Sequence, residues 1–267
     1  MVNIDVVNKE GKLSYEEFIE IIRVLRAPGG CPWDREQTHK SIRNDFLEEA
    51  YEAIDAIDNA DDIALCEELG DVLLQIALHS QIASEENSFD ISDVIDTVAR
   101  KMVLRHPHVF GDVKVANSEE VLSNWDKIKN TEKNMLSATD TLRSVPAAFP
   151  ALMRAQKVQK RAAKAGFDWD ECSGAFDKIG EETAELKKAI RGGDQAEIFE
   201  EFGDLLFSCV NVSRFLKINS EEALNSATNK FISRFAKVEE LANERGIDMK
   251  TAPLSELDKL WDEAKIK

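Results

Sequence analysis

One set of residues occurs twice in this chain, in the same order and with the same key spacing. In the first half, Trp33 and Asp34 precede Glu48, Glu49 and Glu52, and these precede Glu68, Gly70 and Asp71. In the second half, Trp169 and Asp170 precede Glu181, Glu182 and Glu185, and then come Glu201, Gly203 and Asp204. The step from Glu52 to Glu68 equals the step from Glu185 to Glu201. Lys101 and Arg105 are one helical turn apart, as are Lys230 and Arg234. Each half then closes on a Trp with a Lys one turn on, Trp125 with Lys129 and Trp261 with Lys265. Ordered matches of this kind mark a duplicated structural unit. A chain of 267 residues has room for two small domains. We read an N-terminal domain over 1–130, a polar linker over 131–145 and a C-terminal domain over 146–267.

The repeated unit reads as all-α. Apolar residues recur at steps of three and four: Phe18, Ile21, Ile22 and Leu25; then Val72, Leu73, Ile76 and Ala77; then Leu205, Leu206, Cys209 and Val210. Strict alternation over a strand length is rare. With 12 Gly and 6 Pro, breakers are too few to interrupt long helices often. Helices are expected near 15–26, 37–59, 62–84, 91–105, 119–132, 147–165, 174–191, 195–216, 220–244 and 255–265. Ser14 with Glu17 has the spacing of a capping box. Gly192 and Gly193 mark a helix stop.

The formal net charge of -17 argues against binding to a nucleic-acid polymer or an anionic membrane, which needs a dense positive field. It leaves room for a small phosphorylated ligand held by local positive charge. Cys31, Cys66, Cys172 and Cys209 form no Cys-x-x-Cys pair, which fits a reduced, intracellular protein. Ligand spacing disfavours a zinc site built from Cys31, His106 and His108. Residues 1–12 are polar and mixed in charge, unlike a signal peptide. No apolar run approaches the roughly 20 residues that span a bilayer. The expected location is the cytoplasm.

The carboxylates carry the chemistry. Residues three or four apart share a helix face, so Glu49 projects with Glu52, and Glu68 with Asp71. If the two helices pack antiparallel, the four converge; Glu182, Glu185, Glu201 and Asp204 do the same in the second half. Gly70 and Gly203 sit inside helices at a cost near 1 kcal/mol each, and a glycine there admits the close approach of a backbone or ligand. Four clustered like charges repel unless a positive group lies among them. An all-oxygen ligand set, with no His three residues after a Glu, suits Mg²⁺, Mn²⁺ or Ca²⁺ rather than a di-iron centre. Mg²⁺ held by carboxylates points to a phosphate substrate. Lys230 and Arg234 would neutralise its phosphates, and Lys101 and Arg105 would do so in the first half. Glu48 and Glu181 stay open between a water-activating base and an outer group.

Several stretches resemble the MazG family. They are Gly29-Gly30-Cys31-Pro32-Trp33-Asp34, then Leu47-Glu48-Glu49-Ala50-Tyr51-Glu52, then Glu67-Glu68-Leu69-Gly70-Asp71, and Arg105-His106-Pro107-His108. In the second half the resemblance runs from Ala165-Gly166-Phe167-Asp168-Trp169 through both acidic motifs to Lys230-Phe231 and Arg234-Phe235. It implies an all-α nucleoside triphosphate pyrophosphatase that dimerises through helical bundles. The reaction would be NTP and water to NMP and diphosphate, with Mg²⁺ as cofactor and broad tolerance of ribo- and deoxyribonucleotides. Clearing of noncanonical nucleotides and nutritional stress are the roles such a resemblance suggests. Glu182, Glu185, Glu201 and Asp204 would then hold the metal, Lys230 and Arg234 would contact phosphate, and Trp261 or Trp169 would stack on the base.

Neither half lacks a carboxylate. We favour the second as the active one, because the segment from Asp71 to Lys101 is longer than that from Asp204 to Lys230, and His106-Pro107-His108 ends the basic helix early. Two other readings compete: a di-metal oxidase-like bundle, short of suitably placed histidines, and a non-catalytic helical dimerisation module. Carboxylates set into apolar helices disfavour the second. Base selectivity for dUTP or dCTP is compatible with the same motifs.

Overall fold

The computed structural model describes residues 9–132 and 137–265. Those residues form helices and connecting turns with no strand, so the chain is all-α. It divides into two compact units, 1–129 and 130–267. None of the described helices is long and apolar enough to cross a membrane. All four cysteines are free thiols.

The first unit opens with α1 (Tyr15–Arg26), whose N-terminus carries the reciprocal capping box of Ser14 and Glu17. Gly30 makes the turn out of α1; a Cβ there would overlap the carbonyl oxygens of Val24 and Leu25. The short α2 (Pro32–Glu36) follows, then α3 (Arg43–Asp58), α4 (Asp62–Glu85), α5 (Ile91–Arg105), α6 (Pro107–Phe110) and α7 (Ser118–Glu132). The core joins Ile22 of α1, Ile42, and Ala77, Leu78 and Ile82 of α4. Arg26 is buried at the end of α1. It pairs with Glu85 of α4 at 2.8 Å and donates to the Asp34 and Gln37 carbonyls, tying three elements together.

The second unit contains α8 (Ala138–Arg143), α9 (Ala151–Lys164), α10 (Cys172–Gly192), α11 (Gln195–Phe215), α12 (Ser220–Glu244) and α13 (Leu254–Ala264). Helices α10 and α11 pair closely, with α9 against α11. A separate cluster of Val238, Leu241, Ala242 and Leu260 holds α12 to α13.

Three boundaries differ from the sequence reading, each for a local reason. The helix expected from 37 begins at Arg43. Thr38 and Ser41 bond each other's backbone N–H through their hydroxyls at 3.2 and 2.9 Å, an alternative to helical bonding. The helix expected from 147 begins at Ala151, because residues before Pro150 are pushed out of the helical region. The segment 131–145 is more than a linker: α8 packs on α9, and Arg161 donates to the Thr141 carbonyl and the Ser144 hydroxyl. Its residues 133–136 lie outside the described ones.

Candidate metal centre

Each unit is built around an antiparallel helix hairpin, and the turn sets the register of the acids. In the first, α3 meets α4 at Ala60, which takes a left-handed φ of 53°. Asp61 then caps α4 by accepting from Ile63 and Ala64 N–H. In the second, Gly193 takes a φ of 80° and Asp194 caps α11. Residues equally far from such a turn lie level across the hairpin, since both helices rise about 1.5 Å per residue. Glu52 and Glu68 are equidistant from Ala60, and so are Glu49 and Asp71. Glu185 and Glu201, and Glu182 and Asp204, stand in the same relation to Gly193.

The carboxylates therefore meet. Glu49, Glu68 and Asp71 place oxygens within 4.8 Å of one another, and so do Glu182, Glu201 and Asp204. Glu52 and Glu185, both exposed, stand beside these trios and act on them electrostatically. Partial burial raises the Glu49 and Glu68 carboxyls above their ordinary range, and their acidic neighbours add to it: Asp71, Glu52 and Glu68 around Glu49, and Glu52 and Asp71 around Glu68. Glu201 is raised in the same way, by burial and then by Glu185, Glu182 and Asp204. Crowded acids that resist ionising together form a donor set suited to a hard divalent cation.

One residue of the second centre escaped the sequence reading. Lys178 of α10 reaches Glu182 Oε1 at 2.7 Å and Glu181 Oε1 at 3.0 Å, while Glu182 is itself only 5% exposed. Those two carboxylates hold the Lys178 ammonium far above its usual range, Glu182 contributing more. The sequence did place Lys178 four residues before Glu182, but such pairs are common on solvated helices. Glu181, left open above, lies exposed in an ion pair. Its counterpart Glu48 is exposed on α3 beside Tyr51.

The remaining candidates are distributed along other elements. Lys230 is exposed and Arg234 half-buried on α12; neither has an ion pair among the described residues. Lys101 is half-buried on α5. Arg105 is buried, with its guanidinium 5.3 Å from the Trp125 ring, so burial and stacking already engage it. Trp261 of α13 is half-buried with its ring 5.1 Å from that of Phe231. Trp169 lies in the loop before α10 and lines a cavity on the α11 side. The expected close approach at Gly70 and Gly203 is not made within the chain: a Cβ at either would have nothing within 4 Å.

The family model described as the MazG nucleotide pyrophosphohydrolase domain matches residues 37–110 and again 175–239, the segments that carry the two hairpins. A nucleoside triphosphate pyrophosphohydrolase/pyrophosphatase of Thermotoga maritima is 45% identical over 96% of this chain and 98% of its own length. A nucleoside triphosphate pyrophosphohydrolase of Escherichia coli is 42% identical over 94% of this chain and 96% of its own. The Bacillus subtilis protein YabN, uncharacterized by its name, is 49% identical over 96% of this chain, which spans 53% of that longer protein. Two hairpins of like geometry, each matched by the same model, place the chain in the MazG family.

Proposed function

We propose that this protein is a Mg²⁺-dependent nucleoside triphosphate pyrophosphohydrolase, with its principal active site in the second repeat. The observation that carries this is the Glu182–Glu201–Asp204 cluster, whose oxygens lie within 4.8 Å of one another beside the Lys178 ammonium. Relatives that span nearly the whole chain are named for that activity. With Glu185 at its edge, the cluster would hold Mg²⁺, and Mn²⁺ would suit the same oxygen donors. Bound there, the metal would supply Lewis-acid polarisation of phosphoryl oxygens and a lowered pKa for water.

The chain's own residues supply the rest. Lys178, carried on the same helix as Glu182, brings positive charge to the phosphate end of the site. Lys230 and Arg234, one turn apart on α12, offer phosphate contacts. An exposed carboxylate at the edge of the cluster that is not holding the metal accepts the proton of the attacking water. The water oxygen bonds to the α-phosphorus, the α–β bridging bond breaks, and diphosphate leaves. Positioning and charge stabilisation carry such a transfer. Stacking on an aromatic ring accepts any base, so broad use of ribo- and deoxyribonucleotides and a nucleotide-pool role fit the site.

A second copy of the chain is the partner we propose. Leu47, Tyr51, Ile54 and Ile57 on α3, and Phe199, Phe202 and Leu206 on α11, are exposed large apolar residues, and a Cβ at Gly70 or Gly203 would meet nothing within 4 Å. Apolar helix faces of this kind are buried in bundles. Light scattering of the purified protein should give the mass of a dimer.

The test of activity is direct. The protein is incubated with each of the eight common NTPs and dNTPs, with Mg²⁺ or with EDTA, and the products are separated. Monophosphate plus diphosphate, abolished by EDTA, is the expected result. Nucleoside diphosphate plus orthophosphate would move the cleavage site, and no turnover would leave a helical binding module as the reading.

A further inference from the structure

His39, in the turn before α3, and His79, on α4, meet with their Nδ1 atoms 2.8 Å apart. The two rings are inclined by only 10° and their centroids are 5.1 Å apart. That separation equals the Nδ1–Nδ1 distance plus the centroid-to-nitrogen distance of each ring, so the imidazoles meet edge to edge along one line. A ring N–H points outward along that same line, which makes the contact a near-linear hydrogen bond. One Nδ1 must carry the proton and the other must offer its lone pair. When both rings are neutral they are therefore opposite tautomers.

The bond fastens the turn to α4. Thr38 and Ser41 bond each other within it, and Arg26 of α1 donates to the Gln37 carbonyl at its start at 3.2 Å. Ile42, at its end, is 1% exposed in the core with Ile22, Ala77, Leu78 and Ile82. Helix α3 begins one residue later, so the seat of this turn sets where the helix that carries Glu49 starts. The second repeat has no counterpart: Val212 stands at His79's place, 7% exposed.

Both imidazoles are half-buried, and the Phe46 ring of α3 lies against His79 with 6.0 Å between centroids. The helices packed on α4 are α1, α3 and α5. Their charged groups are engaged elsewhere or open to solvent: Arg26 with Glu85, Glu20 with Arg23, Asp93 in the capping box of α5, Arg43 and Lys40 exposed, Asp45 half-buried. Among the described residues, His39 is the charged group that acts on His79. Burial, and then that neighbour, hold the His79 imidazole below its ordinary value of 6.5.

Such a pair takes up protons as a unit, in two steps. The first leaves the bond intact and charge-assisted. The second sets two N–H donors and two positive charges against each other. We propose that the His39–His79 pair is an acid-sensitive clasp, which holds the turn before α3 on α4 at neutral pH and releases it when the second proton binds. The first acidic hairpin thereby gains a response to acid that the second lacks. The clasp's contribution is full above 6.5 and is lost as pH falls below that through the folded value. The crowded carboxylates act with the opposite sign, so the turn itself, not the global midpoint, is the readout.

The test uses the full chain in EDTA, as wild type and as His39→Asn and His79→Phe. Imidazole nitrogen NMR at about pH 7.5 should show one ring of the pair protonated at Nδ1 and the other at Nε2. Two rings both protonated at Nε2 would overturn the bond. Amide exchange across 37–46, corrected for its intrinsic pH dependence, should lose protection about tenfold or more between about pH 7.5 and about pH 5.5 in wild type. Amides around Val212 should not change. His39→Asn should keep its protection at both pH values, because an amide donates to a neutral His79 and accepts from a charged one. His79→Phe should be unprotected at both. Wild-type protection across 37–46 that ignores pH, or a loss in His39→Asn equal to that of wild type, would remove the clasp.

Discussion

Lys178 Nζ lies 2.7 Å from Oε1 of the buried Glu182, and the residue at the equivalent place in the first repeat is Asp45. The two acidic centres are therefore not electrostatic copies. The second carries its own cation, whereas the first has an acid at the equivalent position of its helix. Removing that cation leaves a buried carboxylate without its partner. Lys178→Met should lower the melting temperature in EDTA, and saturating Mg²⁺ should bring it back toward wild type. Equal melting temperatures in EDTA would show that the ion pair contributes nothing.

Glu201→Gln and Asp204→Asn each remove a charged oxygen donor from the second cluster with little change in volume. Each should lower kcat about a hundredfold or more, the scale of losing a charge-stabilising group. Circular dichroism should find both folded. Glu68→Gln, the counterpart of Glu201, should keep most of the turnover. A comparable collapse in Glu68→Gln would transfer the principal site to the first repeat or require both.

The metal-free protein should gain stability on mild acidification. The Glu49, Glu68 and Glu201 carboxyls are raised in the folded chain above the ordinary Glu value of 4.5. A raised carboxyl favours the folded state once protonated, so its contribution is complete below 4.5 and disappears as pH rises through the folded value. In EDTA, denaturant midpoints should rise as pH falls toward 4.5, because these carboxyls take up protons in the folded chain before they do in the unfolded one. Mg²⁺ should flatten or reverse that slope, since it favours the ionised acids. A midpoint that falls steadily with acid in EDTA would contradict the crowding.

Ala60 and Gly193 occupy the same place in the two hairpin turns, at φ 53° and 80°. Left-handed backbone costs an L-residue about 1–2 kcal/mol, part of which glycine gives back through the entropy of the unfolded chain. Ala60→Gly should stabilise by about 0.5 kcal/mol and Gly193→Ala should destabilise by about 1 kcal/mol. Urea titration of the two variants reads both signs, and a stabilising Gly193→Ala would contradict the turn geometry.

Much of this was legible in the sequence. The pairs Glu49 with Glu52 and Glu68 with Asp71 were visible as one-turn steps, and the repeat made them more than surface acids. Gly193 announced its turn, whereas Ala60 gave no sign, because its left-handed φ is imposed by the hairpin and not by its own preference. The start of α3 was missed because Thr38 and Ser41 satisfy each other locally. Nor did periodicity expose Gln159, since a glutamine on an amphipathic helix usually faces water.

The sequence by itself determined the all-α architecture, the duplication and the acid stripes, because helical periodicity and spacing are properties of neighbours along one chain. It also determined family membership, through motifs kept in order across both halves. Only tertiary structure decided which acids touch, that Lys178 pairs with the buried Glu182 of one centre, and that Gln159 and Asn211 line one cavity. Those depend on contacts between helices far apart in sequence. There, burial makes a lone acceptor costly and a like-charged cluster hard to ionise.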